Sequence, residues 1–295
     1  MLSWHCGDVR IDRIVEFEQP LLAPALLYPD ATPEAIDRHR AWLEPHLLDP
    51  TSGLLRLAFH SFLIRSGPLK IIVDTCSGND RHRPKKPRYH LRHWPYLENL
   101  RAAGVAPEEI DYVLCTHLHV DHVGWNTQLV QGRWVPTFPN AKYFFVREEW
   151  AYWRAHYARE AFTDDPYYTD TLLPIIDSGR AELIAMDHVF DDAVRLDPTP
   201  GHTPGHVCVH VRSRGAECVM SGDLMHTVLQ VAEPDWSSCF CVDAAQSRAT
   251  RRAFLARYAD TDVRILAAHF PAPTSGRVVS TRDGWRFAFD EAYDA

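Results

Sequence analysis

The sequence contains no stretch approaching the roughly 18 consecutive apolar residues that a membrane span requires. Its first residues, MLSWHCGDVRIDRI, show no basic start followed by an apolar core. A cytoplasmic protein with no membrane partner is therefore expected. An excess of positive charge is also missing. The formal net charge is −8 over 295 residues, which repels phosphate backbones and argues against a nucleic-acid partner. The one basic cluster, Arg81 to Arg88 (RHRPKKPR), has no aromatic residues interleaved and reads as a solvated loop. Nor is there a disulfide framework. Cys6, Cys76, Cys115, Cys208, Cys218, Cys239 and Cys241 are odd in number, and most sit singly in apolar runs, where a free thiol behaves as a small hydrophobe. Cys239 and Cys241 have no second pair with which to complete a metal site. Repeats, low-complexity segments and a clear linker are absent too, so residues 1–295 read as one domain.

What the sequence does have is a succession of short, β-rich apolar runs bounded by turn residues, among them LRLAFHSFLIRSG, LKIIVDTC, DYVLCTH, AKYFFVRE, HVCVHVRS, AECVMSGD and VRILAAHF. Between them lie segments at helical spacing. PEAIDRHRAWLEPHL follows Thr32 as N-cap, PYLENLRAAG ends on Gly104 as C-cap, and REEWAYWRAHYARE and DAAQSRATRRAFLARYA also read as helices. Strands followed by mixed strands and helices imply sheets with helices packed outside them. Two stretches fit a core poorly: Gln19 to Pro50, rich in proline and leucine, and Ser77 to Pro95, rich in Arg, His and Pro. Long excursions of this kind often carry function.

The informative stretch is THLHVDHVGW, Thr116 to Trp125, directly after the apolar run YVLC. A lone histidine beside an apolar run is usually a core or surface residue with a hydrogen bond. Here, however, three histidines and an aspartate fall within six positions at a strand end. His117 and His119 alternate onto one side, and a turn brings Asp121 and His122 round to a neighbouring position. Imidazole and carboxylate suit zinc-like cations, and a catalytic site needs only a few protein ligands plus an open position. Other strand ends supply matching donors: Asp74 in IIVDTC, His202 in PGHTPGH, Asp223 in MSGD and His269 in LAAHF.

In this order, THLHVDH, GHTPGH, SGD and AAHF resemble the motifs of the metallo-β-lactamase fold superfamily, over about Asp74 to His269. The resemblance implies an α/β (α+β) fold, an αββα sandwich in which two mixed sheets pack face to face with helices outside and the metals lie at one edge. It implies two divalent ions, zinc being expected and Mn, Fe or Co acceptable to the same donors. His117, His119 and His202 would hold one, Asp121, His122 and His269 the other, and Asp223 would bridge them. Asp74 would accept a hydrogen bond from a ligating imidazole and fix its tautomer. His206 would hydrogen-bond across its loop.

Local sequence is nearest to the N-acyl homoserine lactonase and methyl parathion hydrolase-like subgroup. This implies a hydrolase that uses a metal-bridging hydroxide to cleave a small-molecule carboxylic ester or lactone. Phosphotriester hydrolysis and iron-dependent redox chemistry are the alternatives on the same fold. Lactonases of the subgroup often carry a tyrosine three residues after the bridging aspartate, where this chain has His226. That histidine either donates to the substrate carbonyl or a leaving group, or is a loop residue facing solvent. Asp121 is the second catalytic candidate, as a carboxylate able to help move a proton. Trp125, Trp236 and Phe240 are candidates for lining the pocket, with core packing as the alternative. The arm over residues 19–50 would cap the pocket or, if it cannot be buried locally, pack in a homodimer.

Overall fold

The computed structural model describes residues 1–159 and 167–290. Its first strands, β1 (Ser3–Cys6), β2 (Val9–Leu22), β3 (Leu55–Ser66), β4 (Leu69–Val73) and β5 (Tyr112–Leu114), precede a hairpin of β6 (Thr127–Val130) and β7 (Arg133–Pro136). With β8 (Lys142–Val146) and β9 (Ala181–Ile184), they form a seven-stranded sheet ordered β1-β2-β3-β4-β5-β8-β9, from which the hairpin stands apart. Pairing is antiparallel from β1 to β4 and parallel from β4 to β9. The second sheet has six strands in sequence order, β10 (Val194–Pro198), β11 (Val207–Ser213), β12 (Ala216–Met220), β13 (Arg264–Leu266), β14 (Ser275–Thr281) and β15 (Gly284–Phe289). Only β12 and β13 run parallel there.

The two mixed sheets pack face to face with helices outside, so the αββα expectation holds. Phe62, Ile64, Ile71, Val73, Leu114 and Phe144 of one sheet meet Leu196, Val207, Val209, Val211 and Met220 of the other in one buried core. β-branched and aromatic residues suit this layer because both sheets bury a face there. The outer faces pack in a second core against α3 (Tyr96–Ala102), α4 (Arg147–Arg159) and the helix Ala244–Tyr258, through Tyr96, Leu100, Trp150, Trp153, Phe254 and Leu255. The helix expected over Arg147 to Glu160 is α4, with Glu160 itself outside the described residues. Gly104 lies just past α3 with φ +77°, the left-handed conformation that suits a glycine at a helix end.

The topology positions the site. β4 and β5 are parallel, as are β12 and β13, so the carboxyl ends of β4, β5, β12 and β13 carry Asp74, Thr116 to His122, Asp223 and His269. The loops beyond the carboxyl ends of parallel strands are where such folds place ligands.

Two expectations need correction. The arm over residues 19–50 begins inside β2 and continues as α1 (Pro24–Leu27) and α2 (Pro33–Leu43), whose N-cap Thr32 accepts from Ala35 N. It buries Leu27, Tyr28, Ile36, Leu43, Leu47 and Leu48 against its own chain. Tyr28 Oη lies 2.9 Å from Thr227 Oγ1, and Cys239 N donates to Leu27 O. The condition set for a homodimer, an arm that cannot be buried locally, is not met by these residues, while Leu26 and Trp42 of the same arm are exposed. The basic cluster is likewise no solvated loop throughout. Arg81 and Arg83 are almost fully buried, and Arg83 holds Asp170 through two 2.7 Å hydrogen bonds. A buried guanidinium must be paired in this way, and its planar fork matches the carboxylate. Composition reports neither the burial nor a partner 87 positions away.

Candidate metal centre

The carboxyl end of β5 delivers Thr116 to His122, whose loop is held by Asp74. Asp74 Oδ1 accepts from Thr116 N at 2.7 Å, and Oδ2 from Thr116 Oγ1 at 2.9 Å. Asp74 Oδ2 also lies 2.9 Å from His122 Nδ1. A carboxylate there fixes the proton on Nδ1 and turns the Nε2 lone pair inwards. His269 reaches the same state by donating Nδ1–H to Ala58 O, 3.0 Å away, and His117 Nδ1 lies 3.1 Å from Thr116 Oγ1. Thr116 Oγ1 gives its own proton to Asp74 and is therefore free to accept.

Two groups of donors result. His117, His119, His202 and Asp223 form one, with one donor atom from each within 4.8 Å of the others; Asp121, His122 and His269 form the second. Asp223 lies between them. Its Oδ2 faces His202 Nε2 at 3.4 Å and His117 Nε2 at 3.7 Å. Its Oδ1 faces His269 Nε2 at 3.0 Å and His122 Nε2 at 3.2 Å. Asp121 sits on the outer side of the second group, 4.0 Å from His122 Nε2 and 3.9 Å from His269 Nε2.

The donor set fits divalent cations. In the first group, His119 Nδ1 is 3.1 Å from His117 Nε2 and 2.9 Å from His202 Nε2, so ring nitrogens converge on one point. Converging lone pairs repel unless a cation lies among them. Asp223 Oδ1 and His122 Nε2 are buried and, although 3.2 Å apart, are not aligned for a hydrogen bond, an arrangement that a native interior avoids unless an ion or water completes it.

The electrostatics separate the groups. Burial holds His117 and His202 well below the usual imidazole range and His119 at about 4. Burial is the largest single influence on His122 and His269 and pushes both down, but the surrounding carboxylates together, Asp223 with Asp74 at His122 and Asp223 with Asp121 at His269, leave both raised. Asp223 is lowered well below the usual carboxylate range: burial opposes its charge, and His122, His269 and His226 overcome that opposition.

His206 does not reach either group. Its Nε2 accepts from Asp223 N at 2.9 Å, and Nδ1 lies 3.1 Å from Thr199 O, so it spans its loop and fixes the backbone of Asp223. Gly222 makes this possible: at φ +50°, a Cβ there would lie 2.6 Å from His206 Nε2. His226 is buried, so the solvent-facing alternative is wrong. Its Nε2 lies 3.2 Å from Asp223 Oδ2, and its ring stacks on His269.

A cavity of about 340 Å³ opens over these groups. Leu22, Leu27, Leu57 and Phe59 give it an apolar wall, and Tyr89, Trp153, Tyr157 and Tyr167 an aromatic one, with Lys85, Lys86 and Arg88 alongside. Of the three aromatics expected there, Phe240 is on the lining and 43% exposed. Trp125 and Trp236 are not among the lining residues described. Trp125 Nε1 instead donates to Glu16 Oε1 at 2.7 Å, and Glu16 also accepts from Ser77 N and Gly78 N. Trp236 packs near Tyr28, ring centroids 5.9 Å apart. An indole must both bury its ring and satisfy its N–H, and Trp125 does so away from the cavity, its ring stacked on Tyr96 and its N–H on Glu16.

Sequence reasoning missed Tyr89, whose hydroxyl donates to Asp121 Oδ2 at 3.2 Å, and the wall formed by α4. Trp153, His156 and Tyr157 all line the cavity, a recurrence of four, three and one that marks a single helical face. Periodicity revealed that face but not what it faces. No helix among the described residues is long and apolar enough to cross a membrane.

A model of the metallo-beta-lactamase superfamily matches residues 58–269 of the chain. N-acyl homoserine lactonase AttM of Agrobacterium fabrum is 32% identical over 170 residues, which cover 51% of this chain and 58% of that protein. An N-acyl homoserine lactonase of Bacillus cereus is 29% identical over 121 residues, 41% of this chain and 40% of that protein. The chain thus spans about two-fifths to three-fifths of the length of these curated relatives. Among solved structures, hydrolase AbOPH of the beta lactamase superfamily superposes with a TM-score of 0.81 at 22% identity, covering 99% of this chain and 98% of that one. AidC, a dizinc quorum-quenching lactonase in complex with a product, superposes with a TM-score of 0.76 at 19% identity and the same coverage. At such identities the likeness establishes the fold alone.

Proposed function

Since the chain belongs to the metallo-β-lactamase superfamily, we propose that it is a two-metal hydrolase that cleaves a small-molecule carboxylic ester or lactone. One observation carries this reading: Asp223 divides its two carboxylate oxygens between two histidine groups, at 3.0–3.2 Å on one side and 3.4–3.7 Å on the other. In this assignment His117, His119 and His202 would hold one ion and Asp121, His122 and His269 the other, with Asp223 available to both. Zinc suits this set of imidazoles and carboxylates. A bound pair of divalent ions supplies Lewis acidity, which acidifies water towards a pKa of ~7 and polarises the ester carbonyl.

The protein side chains do the rest. The apolar wall of Leu22, Leu27, Leu57 and Phe59 takes the hydrocarbon part of the substrate and excludes water from it. Water adds to the acyl carbon, the acyl–oxygen bond breaks, and the products are a carboxylic acid and an alcohol, joined in one molecule if the substrate is a lactone. His226, on the cavity lining and beside Asp223, donates a hydrogen bond to the substrate oxygen that gains charge, or a proton to the leaving oxygen. Tyr89 holds Asp121 through Oδ2 and so orients the carboxylate that can accept the proton of the incoming water.

The test is metal analysis of protein purified without chelator, with the same sample assayed against chromogenic carboxylic esters, lactones and a phosphotriester. About two ions per chain, with chelator-sensitive ester or lactone cleavage, is the expected result. Cleavage of the phosphotriester alone would replace the substrate class. Two irons without hydrolysis would replace the reaction by redox chemistry.

A further inference from the structure

From the contacts of its carboxylate, we propose that Glu149 is a positioning residue that holds the three-histidine group in shape for its metal ion, an inference that rests on the two-metal reading above. Glu149 opens α4, is 1% exposed, and is no ligand candidate itself. Its Oε1 accepts from Leu118 N at 3.0 Å, the peptide between His117 and His119. Its Oε2 accepts from Gly205 N at 2.9 Å, three residues after His202. One carboxylate therefore ties together the two loops that deliver the three imidazoles. Oε1 also accepts from Trp153 Nε1 at 2.6 Å, and the Trp153 ring stands edge-on to His119, centroids 5.2 Å apart. Gly205 is required for the approach, since a Cβ there would lie 2.5 Å from Glu149 N.

The partners make the chemistry specific. All three are N–H donors, so the site needs an all-acceptor side chain with two oxygens, which a carboxylate is and an amide is not. Glutamine at 149 can satisfy Leu118 and Trp153 with its oxygen, but then turns an NH₂ towards the Gly205 N–H. The loop carrying His202 is released while α4 keeps its packing. Because the same helix carries Trp153, His156 and Tyr157 on the cavity lining, Glu149 also fixes the substrate wall relative to the metal group.

The experiment uses the full chain, stripped of metal and titrated with zinc against a chromophoric chelator. Glu149→Gln is expected to weaken one of two zinc ions by about tenfold or more, the range seen when a residue supporting a ligand is removed, and the other by less than about threefold. Two backgrounds locate the loss. In His269→Ala, which impairs the second group, Glu149→Gln still weakens the remaining ion; in His202→Ala it adds nothing. Trp153→Phe, which leaves both backbone contacts in place, shifts either ion by less than about threefold. Equal weakening of both ions, or wild-type affinities in a folded Glu149→Gln protein, would overturn the proposal. Failure of the wild-type chain to bind a second ion would overturn the two-metal reading instead, while the loss at the His202 group would still be read. Binding of no zinc by the wild-type chain would overturn both.

Discussion

The two histidine groups share one aspartate and differ in how they are held. In the second group the supports touch the rings directly: Asp74 Oδ2 meets His122 Nδ1, and Ala58 O accepts from His269 Nδ1. The first group has weaker ring contacts, Thr116 Oγ1 at 3.1 Å from His117 and Cys241 Sγ at 3.6 Å from His202 Nδ1. Its two loops are tied instead by their backbone N–H groups to Glu149. The reason is topological. Ala58 and Asp74 lie on or beside the neighbouring strands β3 and β4, and Ala58 N also donates to His269 O across the sheets, so ring supports are near at hand. His202 lies in a Gly/Pro loop between β10 and β11, and a partner from α4 must anchor that loop by its main chain. A centre can thus be preformed by fixing side chains or by fixing the loops that carry them.

Substitutions can break this comparison or sharpen it. Asp223→Ala removes what the groups share, and both ions should be lost. Turnover then falls at least about a thousandfold, since metal binding lowers the pKa of water by several units and no described side chain replaces that effect. Metal analysis with steady-state kinetics checks it; an Asp223→Ala protein that retained both ions would show that the groups are independent. His226→Phe tests the residue that leans on both groups, beside Asp223 Oδ2 and stacked on His269. About a hundredfold loss in kcat is expected, with KM and metal content little changed, because hydrogen-bond donation to a developing charge acts in the transition state. Unchanged kcat would make His226 a wall residue only. Asp74→Asn sharpens the contrast between ring and loop support. Its single amide oxygen cannot serve His122 and both Thr116 donors, so the His122 support is weakened and zinc at the second group should bind about tenfold less tightly. Competitive titration should show a smaller loss at the first group, which Asp74 reaches only through Thr116 Oγ1 and His117; a larger loss there than at the second group would reverse the contrast.

How much of this was legible depends on how local each interaction is. Strand ends bearing His117, His119, His202, Asp223 and His269 stood out because apolar runs end abruptly on donor residues, and parallel pairing of β4 with β5 and β12 with β13 aligns those ends. Asp74 was readable for the same reason. The cavity wall was not. Trp153 and Tyr157 look like ordinary helix residues, Tyr89 is hidden at the end of a basic stretch, and Glu149 is one acid beside another at a helix start. Arg83 looked solvated because its partner Asp170 is distant in sequence. Hydrogen bonds across the fold leave no period in a chain, so the buried polar supports had to be seen in three dimensions.

The two groups differ, too, in the protons they hold. In the metal-free chain His117 and His202, depressed by burial, stay neutral at pH 7, whereas His122, raised by Asp223 and Asp74 against its burial, holds a proton. His269 is raised by Asp223 in the same way. Binding zinc at the second group must therefore displace protons, while the first group binds with few to release. Metal-free stability is tilted in opposite directions by the two. The raised pair stabilises the fold fully below the unfolded imidazole value of ~6.5, and that contribution is lost as pH rises through their folded values. The depressed pair contributes above ~6.5 and loses its contribution as pH falls. Calorimetric zinc titration at pH 7 in two buffers of different ionisation enthalpy should show one binding event with strong buffer dependence and one with little. His269→Ala should reduce the buffer-dependent event and leave the other in place. Equal proton release from both events would mean that Asp223 serves the two groups alike, and that the difference in how they are held has no electrostatic counterpart.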